Sequence, residues 1–136
     1  MVYTSWIMMS PTADDSRKRV GKEGEDVACE FITRKGFRVI ARNYRRKWGE
    51  IDIIAEKENT VRFVEVKAVS RESPHYRPEE LVHRTKLRKL ARTAALYMEE
   101  TKDDREFQID VVGVVLNETT RMARCRLFEQ ALEENL

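Results

Sequence analysis

Apolar residues recur at helical spacing through Val20, Val27, Ala28, Phe31 and Ile32, and Gly36 closes the pattern. A helix over about residues 20–35 follows from that spacing. The next stretch, FRVIARNYR, reads as a strand. GEIDIIAEKENTVRFVEVK, residues 49–67, then reads as two strands joined by a polar turn at Glu58 and Asn59. SRESPHYRP is rich in turn formers and predicts a loop. Pro78, Glu79 and Glu80 suit the first turn of a second helix, where a fixed φ and negative charge are both favourable. Its apolar stripe continues through Leu87, Leu90, Ala91, Ala94, Tyr97 and Met98, leaving Arg88, Lys89 and Arg92 turned away. FQIDVVGVVLN and RMARCRLFEQ supply two closing strands. The order αβββαββ predicts an α/β fold in which helices flank a sheet.

Composition narrows the class. A chain of 136 residues that is 41% hydrophobic and 37% charged suits one globular domain with a heavily charged surface. We divide it into a flexible N-terminal tail, residues 1–16, and a single domain, residues 17–136. The opening MVYTSWIMMS has an apolar patch too short to span a membrane and no basic region before it. Its methionines leave the start codon open among Met1, Met8 and Met9. Cys29 and Cys125 form no CxxC pair, and neither His75 nor His83 completes a metal-ligand spacing. Reduced thiols in a cytoplasmic protein are the expectation. Net charge is only +2, yet bases crowd residues 17–48 and 84–92 while acids gather after Glu99. That asymmetry is compatible with a basic face for nucleic acid and equally with a solvated mixed-charge surface.

The strands of the 49–67 segment carry acids where a core strand would not. Asp52 lies between Ile51 and Ile53, and Glu65 between Val64 and Val66. Strand side chains two apart share a face, so Glu65 and Lys67 point the same way, roughly 7 Å apart. If the two strands pair as a hairpin, Asp52 comes to within about one strand spacing, ~4.8 Å, of that face. Two carboxylates about 5 Å apart repel by roughly 3 kcal/mol at an effective dielectric near 20. A divalent cation reverses that balance, because carboxylate oxygens, a backbone carbonyl and water are what Mg²⁺ takes as ligands. The plainer alternative, a charged outer face with a strand-end aspartate, stays open on pattern alone.

GKEGEDVACEF, GFRVIARNYR, GEIDIIA and FVEVK, followed by a lysine-bearing helix, resemble the YraN-like family of predicted endonucleases. That family is similar in turn to archaeal Holliday junction resolvases within the restriction-endonuclease-like superfamily. The resemblance spans about residues 19–115. It implies a restriction-endonuclease-like mixed β-sheet flanked by helices, and hydrolysis of DNA phosphodiester bonds with Mg²⁺ or Mn²⁺. It also implies selectivity for branched or junction DNA, and a homodimer.

By the same resemblance Asp52 and Glu65 are metal ligands, joined by the Val66 backbone carbonyl and the helical Glu25. Lys67 activates water or steadies the scissile phosphate. Glu25 is chosen because the motif G-x-x-G-E falls on Gly21, Gly24 and Glu25. Gly24 lies mid-stripe, where the missing side chain lets helix and sheet approach closely. Asn43, Arg45, Arg46, Lys47, Arg71 and Lys86 are the implied nucleic-acid contacts. Val69 stands where the family often has an arginine, with Arg71 further on, and Gln108 precedes Ile109 and Asp110 where an Arg-Phe-Asp is common. Asp110 is expected to be structural. The competing readings are a non-catalytic nucleic-acid-binding module of the same fold, and a scaffold for a protein partner.

Overall fold

The computed structural model describes residues 2–9, 17–70 and 77–132. Strand β1 (Val2–Met8) precedes helix α1 (Arg17–Arg34), strands β2 (Arg38–Arg46), β3 (Gly49–Lys57) and β4 (Thr60–Ser70), and a 3₁₀ turn, η1 (Pro78–Leu81). Helix α2 (Arg84–Glu100) and strands β5 (Phe107–Asn117) and β6 (Met122–Phe128) complete the chain. The sheet runs β1-β6-β5-β4-β3-β2. Its β4–β5 pair is parallel, and the others are antiparallel. A parallel pair needs a long crossover, and η1 with α2 provides it. This is the mixed sheet flanked by helices that the sequence implies.

Local chemistry sets the boundaries. α1 ends where Gly36 takes φ +93°. The Gly36 and Phe37 amides then donate to the Thr33 and Ile32 carbonyls at 3.1 and 3.0 Å, closing off the last turn. Glu58 and Asn59 both adopt positive φ between the paired Lys57 and Thr60, the two-residue turn that suits strand twist. α1 buries Val27, Ala28, Phe31 and Ile32 on one sheet face with Ile53, Ala55, Val64, Val112, Val114 and Leu116. α2 buries Leu87, Leu90, Ala94 and Met98 on the other with Ile54, Val61, Phe63, Ile109 and Val111. Gly24 is as close to the sheet as expected: a Cβ built there would overlap the Cβ of Ala68.

Two expectations are corrected. Val2–Met8 is not a tail but an edge strand paired along its length with β6. Ile7 and Met9 sink into the α1-side core and give the segment its purchase; residues 10–16 lie outside the described residues. Pro78, Glu79 and Glu80 do not open the second helix. They form η1, Val82 is extended, and α2 starts at Arg84 with no acid in its first turn. Glu79 instead turns inward to pair with Arg126 at 2.6 Å. Asp110 is structural: it is fully buried, accepts from Gln108 and the Gln130 amide, and pairs with Arg62 at 3.3 Å. Cys29 and Cys125 are free thiols.

Candidate functional site

The β3–β4 ladder pairs Lys57 with Thr60 and runs to Ile53 with Val64. Continued one step, the same register sets Asp52 opposite Glu65, and there the backbone pairing stops. The Val66 amide, which would have bonded the next β3 carbonyl, donates to Asp52 Oδ2 at 2.8 Å. A side chain thus takes over a ladder bond where the strands part. In an extended strand a residue's N–H and C=O project to the same edge, so the Val66 carbonyl also faces this gap.

The strands reverse faces at the same point. Ile53 belongs to the α1-side core, but Ile51, two residues earlier, belongs to the α2-side core. β2 does likewise: Arg42 reaches Glu25 of α1, while Tyr44 packs in the α2-side core. Between them Asn43 holds φ +52°, a conformation asparagine tolerates better than most residues. The pairs Arg42–Ile53 and Tyr44–Ile51 bracket Asn43 and Asp52. Alternation predicts that 51 and 53 share a face; the reversal breaks that rule and sends Asp52 between the strands rather than onto either side.

Glu65 is only 6% exposed. Burial pushes its carboxyl up to about 7, and the neighbouring Asp52 charge and hydrogen bond add to the rise against the opposing pull of Lys86. Lys86 Nζ lies 2.9 Å from Glu65 Oε1. Burial works most strongly against the Lys86 charge, but its bond to Glu65 and the charges of Glu65, Asp52 and Glu50 together outweigh burial and raise its pKa. The resemblance implies that this lysine contacts nucleic acid; here its side chain reaches the acid pair. Lys67 stands beyond Glu65 on the same face and is exposed.

Glu25 approaches from α1. Burial, then the Asp52 charge, raises its pKa, while Arg42 and a hydrogen bond from Asn43 pull it down. Arg42 Nη2 bridges Glu25 and Asp26 at 3.3 and 2.7 Å. Glu25 is therefore within electrostatic reach of Asp52 yet tied to β2. Among the described residues no three His, Cys, Asp or Glu converge as a ready metal cage. Asn43 acts here on Glu25 and on the path of β2.

A groove of about 660 Å³ opens beside Glu65 and Lys86. Arg45, Lys47 and Lys89 are on its walls, with Gly49, Leu90 and Thr93. Arg45 is exposed, 3.8 Å from Glu50. Arg46 also borders the groove, pairs with Glu100 at 3.3 Å and stacks over the Tyr44 ring at 4.3 Å. Arg71 lies outside the described residues, as does His75. Two residues not among the sequence's site candidates line this groove, Lys89 and, at the start of α2, His83; a third, Arg42, holds Glu25 on the α1 side. The apolar stripe turns Lys89 away from the sheet, yet it follows Lys86 by three positions and so shares its helix face.

A six-stranded mixed sheet with one helix on each face, and an acid, acid-x-lysine set where its middle strands part, defines a chain of the restriction-endonuclease-like fold class. Residues 24–114 match the uncharacterised protein family UPF0102. A UPF0102 protein of Symbiobacterium thermophilum is 43% identical over 116 residues, covering 84% of this chain and 96% of the relative. One of Persephonella marina is 39% identical, covering 71% and 84%, and one of Campylobacter concisus is 40% identical, covering 72% and 84%. The chain belongs to UPF0102, the YraN-like family. Among the described residues no helix is long and apolar enough to cross a membrane.

Proposed function

We propose that the protein is a Mg²⁺- or Mn²⁺-dependent endonuclease acting on DNA. The observation that carries this reading is the gap between β3 and β4, where the ladder ends and a buried, proton-retaining Glu65 faces Asp52. Ionising both acids there costs the fold free energy unless a cation offsets their repulsion. The donor set is two carboxylates and a backbone carbonyl aimed at one gap. It is all oxygen, which suits Mg²⁺ or Mn²⁺ and not the thiolate or imidazole-rich sites of zinc. Asp52, Glu65 and the Val66 carbonyl would hold the ion, with Glu25 close enough to act through a bound water. Such an ion, when bound, polarises a phosphate and lowers the pKa of its water.

The chain's own residues do the rest. The Val66 amide fixes the Asp52 carboxylate in the gap. Glu65 gives up its proton near neutral pH, and Lys86 keeps its charge beside it. Lys67, exposed on the Glu65 face, stabilises charge developing on a phosphoryl oxygen. Arg45, Lys47 and Lys89 bind backbone phosphates without reading sequence, so affinity falls as salt rises.

The test is cleavage of labelled duplex, flap and four-way-junction DNA with Mg²⁺, Mn²⁺ or chelator. Metal-dependent cuts that disappear in Asp52→Ala and Lys67→Ala, both still folded, support the reading. Failure of the wild type to cut any of them, with DNA binding intact, sinks it. The Lys86–Glu65 ion pair favours a second reading, a binding module in which lysine substitutes for the cation. That module would bind DNA in a salt-sensitive manner, and Asp52→Ala would not change it.

A further inference from the structure

The turn between β2 and β3 carries an aromatic side chain that the proposed mechanism does not use. Arg45, Arg46 and Lys47 run directly into Trp48, a residue that is 45% exposed. An indole that open contributes little to the core, and its cost in water is tolerated at a rigid tip. The Thr93 hydroxyl lies 3.4 Å from the Trp48 carbonyl. Arg46 is tied to Glu100 and laid on Tyr44. Gly49 approaches α2 so closely that a Cβ there would overlap the Thr93 hydroxyl. Trp48 therefore projects from a hairpin that cannot swing away.

Its position relative to the acid pair gives the indole a role. Lys47 and Gly49, on either side of Trp48, both line the groove that also holds Glu65 and Lys86. A nucleotide strand lying in that groove has cations for its phosphates on both walls, and the half-exposed Trp48 stands in the chain between two of the residues that line it. Bases inside a continuous duplex are stacked on both faces and offer neither to a side chain. An unpaired nucleotide does, and stacking on an aromatic side chain is sequence-tolerant.

The geometry points to Trp48 as a base-stacking platform that selects nucleic acid with unpaired nucleotides next to the scissile phosphate: single-stranded segments, flaps and branch points over continuous duplex. This rests on the nuclease reading and adds to it the feature of the substrate that is recognised and the residue that recognises it.

The chain has two tryptophans, Trp6 and Trp48, so Trp6→Phe leaves Trp48 as the sole indole. In chelator, so that nothing is cut, this protein is titrated with a labelled oligothymidine and with a blunt duplex of equal length. Binding is read from label anisotropy and stacking from tryptophan emission. The single strand should quench Trp48 and the duplex should not. Trp48→Ala should weaken single-strand binding by about tenfold with duplex binding unchanged, and Trp48→Phe should restore most of the loss. Equal quenching by both, no quenching at saturation, or equal weakening of both by Trp48→Ala overturns the inference and leaves the nuclease reading standing. Absence of binding to either nucleic acid at low salt removes both.

Discussion

Replacing Glu65 by Gln should make the metal-free protein more stable at alkaline pH. Glu65 titrates near 4.5 when unfolded and at about 7 in the fold. Below pH 4.5 both states hold the proton and the residue costs nothing. As pH rises from 4.5 to 7, the unfolded chain loses its proton while the folded one keeps it, so stability falls; above 7 the loss is complete. At about 1.4 kcal/mol for each pH unit, the full cost is about 3 kcal/mol. Glutamine has the same length, carries no charge and can donate a hydrogen bond to Asp52. The lost pairing with Lys86, whose side chain is 61% exposed, is already contained in the Glu65 value. Urea unfolding in chelator should therefore show the two proteins matched near pH 4 and Glu65→Gln ahead by up to about 3 kcal/mol at pH 8, roughly 10 °C in thermal midpoint. A stability gap that does not change with pH, or a variant weaker than wild type at pH 8, would refute the reasoning. Loss of activity in a stabilised variant is the trade expected of a strained site.

Other consequences follow from single residues. Gly24→Ala should destabilise by about 1–3 kcal/mol in denaturant unfolding, because the new methyl meets Ala68 and forces α1 off the sheet; a neutral result would mean the helix shifts freely. Arg62→Ala leaves the buried Asp110 with only its amide donors and should cost about 3 kcal/mol, most of it recovered when Asp110→Asn is added. Lys67→Ala should abolish cleavage while leaving thermal stability and DNA affinity nearly unchanged, as measured by scanning calorimetry and anisotropy; a loss of affinity equal to the loss of cleavage would make Lys67 a binding residue.

Much of this was legible in the sequence because the signals are local. The turn at Glu58–Asn59 fixes the β3–β4 register, and that register alone brings Asp52 opposite Glu65. Gly24 and Gly36 act through steric rules that need no tertiary information. β1 was hidden because its outward residues include Val2, Trp6 and Met8, so apolar side chains fall on both faces and no alternation shows. The start of α2 was misread because Pro-Glu-Glu is also a good 3₁₀ turn, and the Arg126 partner that draws Glu79 inward is distant in sequence. The reversal at Asn43 and Asp52 depends on two strands breaking together, each with the other as its reason. Lys86 could be placed on the edge of its helix stripe, but its contact with Glu65 required knowing how α2 lies across the sheet.

The central claim is that Asp52 and Glu65 are held together for a divalent cation. The most direct measurement is an anomalous-difference map from crystals soaked in Mn²⁺, beside the same soak of Asp52→Ala. The account predicts a peak between Asp52 and Glu65, with Lys86 displaced from Oε1, and no peak in the variant. Clean density for both carboxylates, no peak, and Lys86 still bonded to Glu65 would contradict it.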